Sequence, residues 1–160
     1  LIAPLREKAD FVLDTSYSSP NELRLKLGSI FPLANNRSIQ IMLQSFSFRK
    51  ASLAGIDMVF DCRFLKNPNW VSGLKDLNGT DEEVKDYLRK DKSWASFKKN
   101  ILQMLDTIIP AFEREGKSYL SIGLGCTGGQ HRSVFVAEQL HKHLLQVKRD
   151  VKIFHTGLKN

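Results

Sequence analysis

Cysteine is scarce in this sequence, with two in 160 residues, Cys62 and Cys126. Two are too few for a disulfide framework, and they are not paired at zinc-ligand spacing. A reduced, cytoplasmic protein is therefore expected. No apolar run approaches the length of a membrane span, and the amino-terminus carries no signal-peptide pattern. The G-x-x-x-x-G-K-[ST] loop is missing, so the chain has no nucleotide-hydrolysis motif of its own. RRM, KH and helix-turn-helix patterns are missing as well. There is no internal repeat and no low-complexity tract. Acidic residues are the minority charge, 17 against 24 Lys and Arg, for a net +7. That balance favours a polyanionic partner.

What is present suffices for a core, at 42% hydrophobic residues, and the length fits one domain with or without a fragment. Phe11 to Thr15 reads as a strand. Ser19-Pro20-Asn21-Glu22 is a capping box that starts a helix from Pro20 to about Leu27, stopped by Gly28. One strand and a helix cannot bury a core alone. Residues 1–37 are thus expected to be the tail of an upstream domain, with Pro32 to Arg37 as a linker, and residues 38–160 a second unit.

In that unit, strands are expected over Ile39–Phe48 and Asp57–Cys62, then a long loop from Arg63 to Gly79. Thr80 to Glu83 is a second capping box, opening a helix through Leu88. Trp94, Phe97, Ile101, Leu105, Ile108 and Phe112 recur at helical steps from Ser93, and Gly116 closes that helix. A strand to Leu124, a helix from Ser133 to about Gln146 and a strand from Val151 to Phe154 complete the pattern. Alternating strands and helices predict an α/β fold, a mostly parallel sheet flanked by helices. Ligands of such sheets sit beyond the carboxyl ends of the strands.

The most informative run is Gly125 to Ser133, G-C-T-G-G-Q-H-R-S. An apolar strand, a glycine-bearing loop and a helix start make an anion cradle, where unpaired N–H groups and the helix dipole converge. Gly128 and Gly129 allow close approach of a ligand, and Arg132 suits phosphate. The candidate anion-binding set is Cys126, Thr127, Gly128, Gly129, His131, Arg132 and Ser133, joined by Asp61, Arg63 and Asn69 from the loop after the second strand. Cys126 and Arg132 also stand at the C-x5-R-S spacing of cysteine-dependent phosphatases, whose thiolate attacks phosphorus. Such enzymes usually have histidine where this chain has Gly125, and nothing singles out Asp76 as their general acid. The expected reading is a binding module with no catalytic residue, metal or cofactor in this chain. His141 and His143, two apart on a helix, point to different faces.

The G-C-T-G-G-Q-H-R-S-V-F-V-A-E-Q-L run closely resembles the C-terminal domain of the RapZ family, bacterial RNase adapter proteins. Asp61-Cys62-Arg63-Phe64-Leu65-Lys66-Asn67-Pro68-Asn69-Trp70 resembles that family's D-V-R-F-L-P-N-P-H-W segment, with Asn69 in place of the histidine. Gln44 to Lys50 resembles its E-S-F-G-F-K-H segment, and Pro4 to Ser16 the end of its nucleotide-binding domain.

The resemblance implies a fold similar to a phosphofructokinase subdomain. It implies a domain that binds a small regulatory RNA, presents it to an endoribonuclease and senses glucosamine-6-phosphate. It places the family's sugar-phosphate positions at Thr127, Gly128 and Arg132 and its RNA-contacting positions at Arg49, Lys50, Lys75 and Arg149. It also implies a P-loop ATP/GTP-binding domain upstream of Leu1, tetrameric assembly and a cytoplasmic bacterial setting.

Overall fold

The computed structural model describes residues 8–30, 38–50 and 55–158. The expected linker, Pro32 to Arg37, lies outside them. The chain divides into two compact units, residues 1–37 and 38–160.

In the first unit, helix α1 spans Pro20–Ile30. Its capping box forms as the sequence indicates: Ser19 N–H donates to Glu22 Oε2 at 2.8 Å, and Glu22 N–H donates to Ser19 Oγ at 3.3 Å. The helix continues past Gly28, whose Cβ position meets nothing within 4 Å. Phe11 to Thr15 is not a strand. Phe11 and Val12 are 59% and 56% exposed, and a short apolar run makes a strand only when a partner edge receives it.

The second unit is a four-stranded, all-parallel sheet flanked by helices, an α/β fold. Its elements run β1 (Gln40–Ser47), β2 (Met58–Asp61), α2 (Glu82–Arg89), α3 (Lys92–Arg114), β3 (Tyr119–Cys126), α4 (Arg132–Gln146) and β4 (Val151–His155). The strand order is β2-β3-β1-β4, so β3 lies between β2 and β1. In register, Ile41 stands beside Leu120 and Val151, and Leu43 beside Ile122 and Ile153. This face joins the buried core with Trp94, Ile101, Leu105 and Ile109 of α3 and Phe135, Val136, Leu140 and Leu144 of α4. The helical apolar stripe read from the sequence is thus core packing. Gly116 ends the α3 segment at φ 74°, a left-handed turn that suits glycine.

Two helix starts differ from the expected ones. Asp81, not Thr80, is the α2 cap residue, and its carboxylate accepts from Asn78 N–H at 2.7 Å. The Thr80 hydroxyl donates instead to Asn78 Oδ1 at 2.7 Å. Asn78 therefore organises an Asx turn in place of the second capping box. Asp91 caps α3, accepting from Ser93 N–H at 2.8 Å.

Candidate functional site: a cavity at the strand ends

A cavity of about 320 Å³ opens at the carboxyl ends of β1, β2 and β3. Arg49 follows β1. Asn67, Asn69 and Trp70 come from the loop after β2. Cys126, Thr127, Gly128, Gln130, His131 and Arg132 come from β3 and the loop leading into α4. Two other hollows are larger. One, of about 430 Å³, crosses the sheet between Met42 and Phe154; the other, of about 470 Å³, lies between Val59 and Phe97. Neither gathers backbone donors at a helix start with two arginines, so we place the site at the smaller one.

The loop after β3 is braced from behind. Cys126 Sγ accepts the N–H of Gly129 at 3.2 Å and lies 3.1 Å from Ser133 Oγ. Ser47 Oγ donates to Thr127 O at 2.7 Å and accepts Arg49 N–H at 3.2 Å. Adjacent glycines then play unlike parts. Gly129 has φ 73°, and a Cβ there would stand 2.9 Å from Ser47 N, so the fold itself requires glycine. A Cβ on Gly128 would meet nothing within 4 Å, although Gly128 lines the cavity. Nothing among the described residues demands glycine at 128, whereas a ligand drawn close to the backbone would.

Arg132 is 6% exposed. Its Nη1 donates to the carbonyls of Arg63 at 3.0 Å and Leu65 at 3.2 Å, and its Nη2 to Thr127 Oγ1 at 3.2 Å. The guanidinium therefore ties the loop after β2 to the loop after β3. With five N–H donors, it keeps Nε and one Nη2 hydrogen beyond these bonds. His131 is 7% exposed, and its Nε2 has no hydrogen-bond partner among the described residues. A buried ring nitrogen without a partner is costly, and His131 stands at the edge of the cavity with this capacity unused.

The other candidates divide. Asp61 and Arg63 pair with each other at 2.6 Å, and Arg63 lies over the Phe48 ring at 4.6 Å. The Arg63 guanidinium holds the Asp61 carboxyl below the usual carboxylate range. Their side chains do not line the cavity; their part in it is the Arg63 carbonyl that receives Arg132. Ser133 is fully buried behind the loop. Cys62 follows Asp61, which stands in register with Gly125; burial first, and then the neighbouring Cys126, pushes its thiol up.

Among the basic positions, Arg49, Lys50 and Lys75 are exposed, and Arg49 lines the cavity itself. Arg149 stands before β4, at the opposite end of the sheet, ion-paired with Glu113 at 2.8 Å. Sequence reasoning missed Ser47, Trp70 and Gln130. Trp70, 84% exposed, had the only visible signal, an aromatic beside Asn-Pro-Asn in a loop.

A family model described as the RapZ C-terminal domain matches residues 39–159. A nucleotide-binding protein of Cereibacter sphaeroides is 44% identical over 158 residues, 99% of this chain and 52% of its own length. Proteins of the same description from Dinoroseobacter shibae and Haemophilus ducreyi are 48% and 40% identical, over 91% and 99% of this chain and 48% and 55% of theirs. The chain thus spans about half the length of these curated relatives. With the matched segment covering both loops of the cavity and the whole sheet, the chain belongs to the RapZ family.

Proposed function

We propose that this chain is an RNA-binding module that senses a phosphorylated metabolite, an amino-sugar phosphate such as glucosamine-6-phosphate, and presents a small regulatory RNA to an endoribonuclease. The observation that carries the ligand half is Gly128, a glycine that lines the cavity and whose Cβ position meets nothing among the described residues. A phosphate monoester placed there takes hydrogen bonds from the backbone at the start of α4, from Thr127 and from the remaining Arg132 donors, with Arg49 at the mouth. Those fixed dipoles and charges need no reorganisation when the anion arrives.

RNA would be held through its backbone by Arg49, Lys50 and Lys75, with salt-dependent affinity. Arg149, at the far end of the sheet, joins this surface only for an RNA that runs the length of the domain. In full-length proteins of the family, ATP or GTP would belong to the P-loop domain and the assembly would be a tetramer; both extend the same proposal. The test is fluorescence anisotropy of a labelled stem-loop RNA over a salt series, with and without glucosamine-6-phosphate. Salt-dependent binding that the sugar phosphate alters supports the reading, and no binding at low salt refutes its RNA half.

One observation favours a second reading, a cysteine phosphatase. The Gly129 N–H and the Ser133 hydroxyl both reach Cys126 Sγ, contacts that would steady a thiolate. The described lining residues include no carboxylic acid to protonate a leaving group. Turnover of an aryl phosphate that disappears in Cys126→Ser would establish this reading, and no turnover by the parent chain removes it.

A further inference from the structure

We propose that the cavity accepts a nucleoside 5′-monophosphate moiety, with the phosphate in the Thr127–Arg132 loop and the base stacked on Trp70. The inference rests on the phosphate reading above and adds a second class of ligand, which would share the phosphate subsite with the sugar phosphate and place a base at Trp70.

Trp70 is 84% exposed and yet lines the cavity. It is held in place as well. Asn67 Oδ1 accepts from Asn69 N–H at 3.3 Å, Trp70 N–H donates to Asn67 O at 3.3 Å, and Val71 N–H donates to Pro68 O at 3.0 Å, closing a short 3-10 turn over buried Pro68. The other tryptophan, Trp94, is 6% exposed and packs on Phe135 with ring centroids 4.6 Å apart. An indole carried on an ordered turn and left facing solvent beside an anion cavity is a stacking platform, which every base can use.

The rest of the lining agrees. Asn67, Asn69 and Gln130 offer amide donors and acceptors for ribose hydroxyls and base edges, and the charged residues among the lining are Arg49 and Arg132, with no carboxylate to repel phosphate. His131 also lines the cavity, and its Nε2 is without a hydrogen-bond partner among the described residues. This chemistry occurs in a free nucleotide and in the 5′-phosphorylated end of an RNA.

The test titrates the 160-residue chain with adenosine 5′-monophosphate, ribose 5-phosphate and inorganic phosphate, followed by calorimetry and tryptophan fluorescence. The nucleotide is expected to bind roughly tenfold more tightly than ribose 5-phosphate, the margin that stacking on one aromatic supplies, and to quench emission. Trp70→Ala brings the nucleotide down to the ribose 5-phosphate level and removes the quenching, while the emission of Trp94 remains as an internal reference. Preference for a 5′-monophosphorylated over a 5′-hydroxyl single-stranded RNA assigns the moiety to an RNA end; equal binding of the two RNAs, with the mononucleotide still bound, assigns it to a free nucleotide. Equal affinity for the nucleotide and ribose 5-phosphate without quenching overturns the stacking proposal and leaves the phosphate reading standing. No affinity for any of the three phosphates overturns the nucleotide proposal, and the sugar-phosphate reading falls as well when glucosamine-6-phosphate, titrated alongside, also fails to bind.

Discussion

Two loops meet at the cavity, and they are built in opposite ways. The loop from Thr127 to His131 is short, and its bracing is largely local: Cys126, Gly129 and Ser133 hold one another within seven residues, with Ser47 of the neighbouring strand behind. The loop between β2 and α2 is long and is pinned from outside. Asp91 accepts Lys66 N–H at 2.7 Å, Arg132 takes the carbonyls of Arg63 and Leu65, and Gly79 N–H donates to Gln130 O at 2.8 Å. One loop is braced mostly by its own residues, whereas the other combines local turns at Asn67 and Asn78 with ties to residues 25 to 69 positions away. The lesson is that a local motif can supply the donors of a site while distant contacts set its walls.

Arg132→Ala breaks this arrangement most severely. Two carbonyls lose a charged donor, and stability should fall by roughly 2–4 kcal/mol in urea titrations, with ligand binding lost at the same time. A variant of unchanged stability would show that the tie between the loops is idle. The two glycines sharpen the contrast within the short loop. Gly129→Ala forces a side chain into a left-handed backbone 2.9 Å from Ser47 N and should cost about 1–3 kcal/mol. Gly128→Leu should melt within a degree or two of the parent and fail to bind phosphate esters.

Asp91→Asn probes the long loop alone. Burial by itself would raise the Asp91 carboxyl, but the N–H groups of Lys66 and Ser93 outweigh it and hold the group below its ordinary value. A lowered folded-state value means that the carboxylate stabilises the protein above the unfolded-state value and loses this as pH falls through the folded one. The parent should exceed Asp91→Asn by about 1 kcal/mol at neutral pH. That margin should shrink below about pH 4. A margin constant down to pH 2 would contradict the assignment. The smallest expected change in stability belongs to Arg49→Ala with Lys50→Ala, both exposed. It should leave melting unaltered while lowering the salt slope of RNA binding by up to about 2.

The same contrast explains what could be read from the sequence. β3, its glycine loop and α4 were legible because an apolar run, paired glycines and a helical pattern are neighbours in the chain. β1 and the α3 stripe were legible from their periodicity. Thr80 misled because Asn78, two residues earlier, competes for its hydroxyl and its N–H. Phe11 to Thr15 misled because a short apolar run says nothing of whether a partner edge exists. The carbonyl partners of Arg132 and the brace from Ser47 join residues up to 80 positions apart, a proximity that only the closed sheet creates.

The most direct measurement is calorimetric titration of glucosamine-6-phosphate into the parent chain and Gly128→Leu, with melting curves of both. Saturable binding by the parent, lost in Gly128→Leu at an unchanged melting temperature, is the predicted result. Equal binding by the two proteins would move the ligand out of the cavity, and no binding by the parent would contradict the sensing of this sugar phosphate.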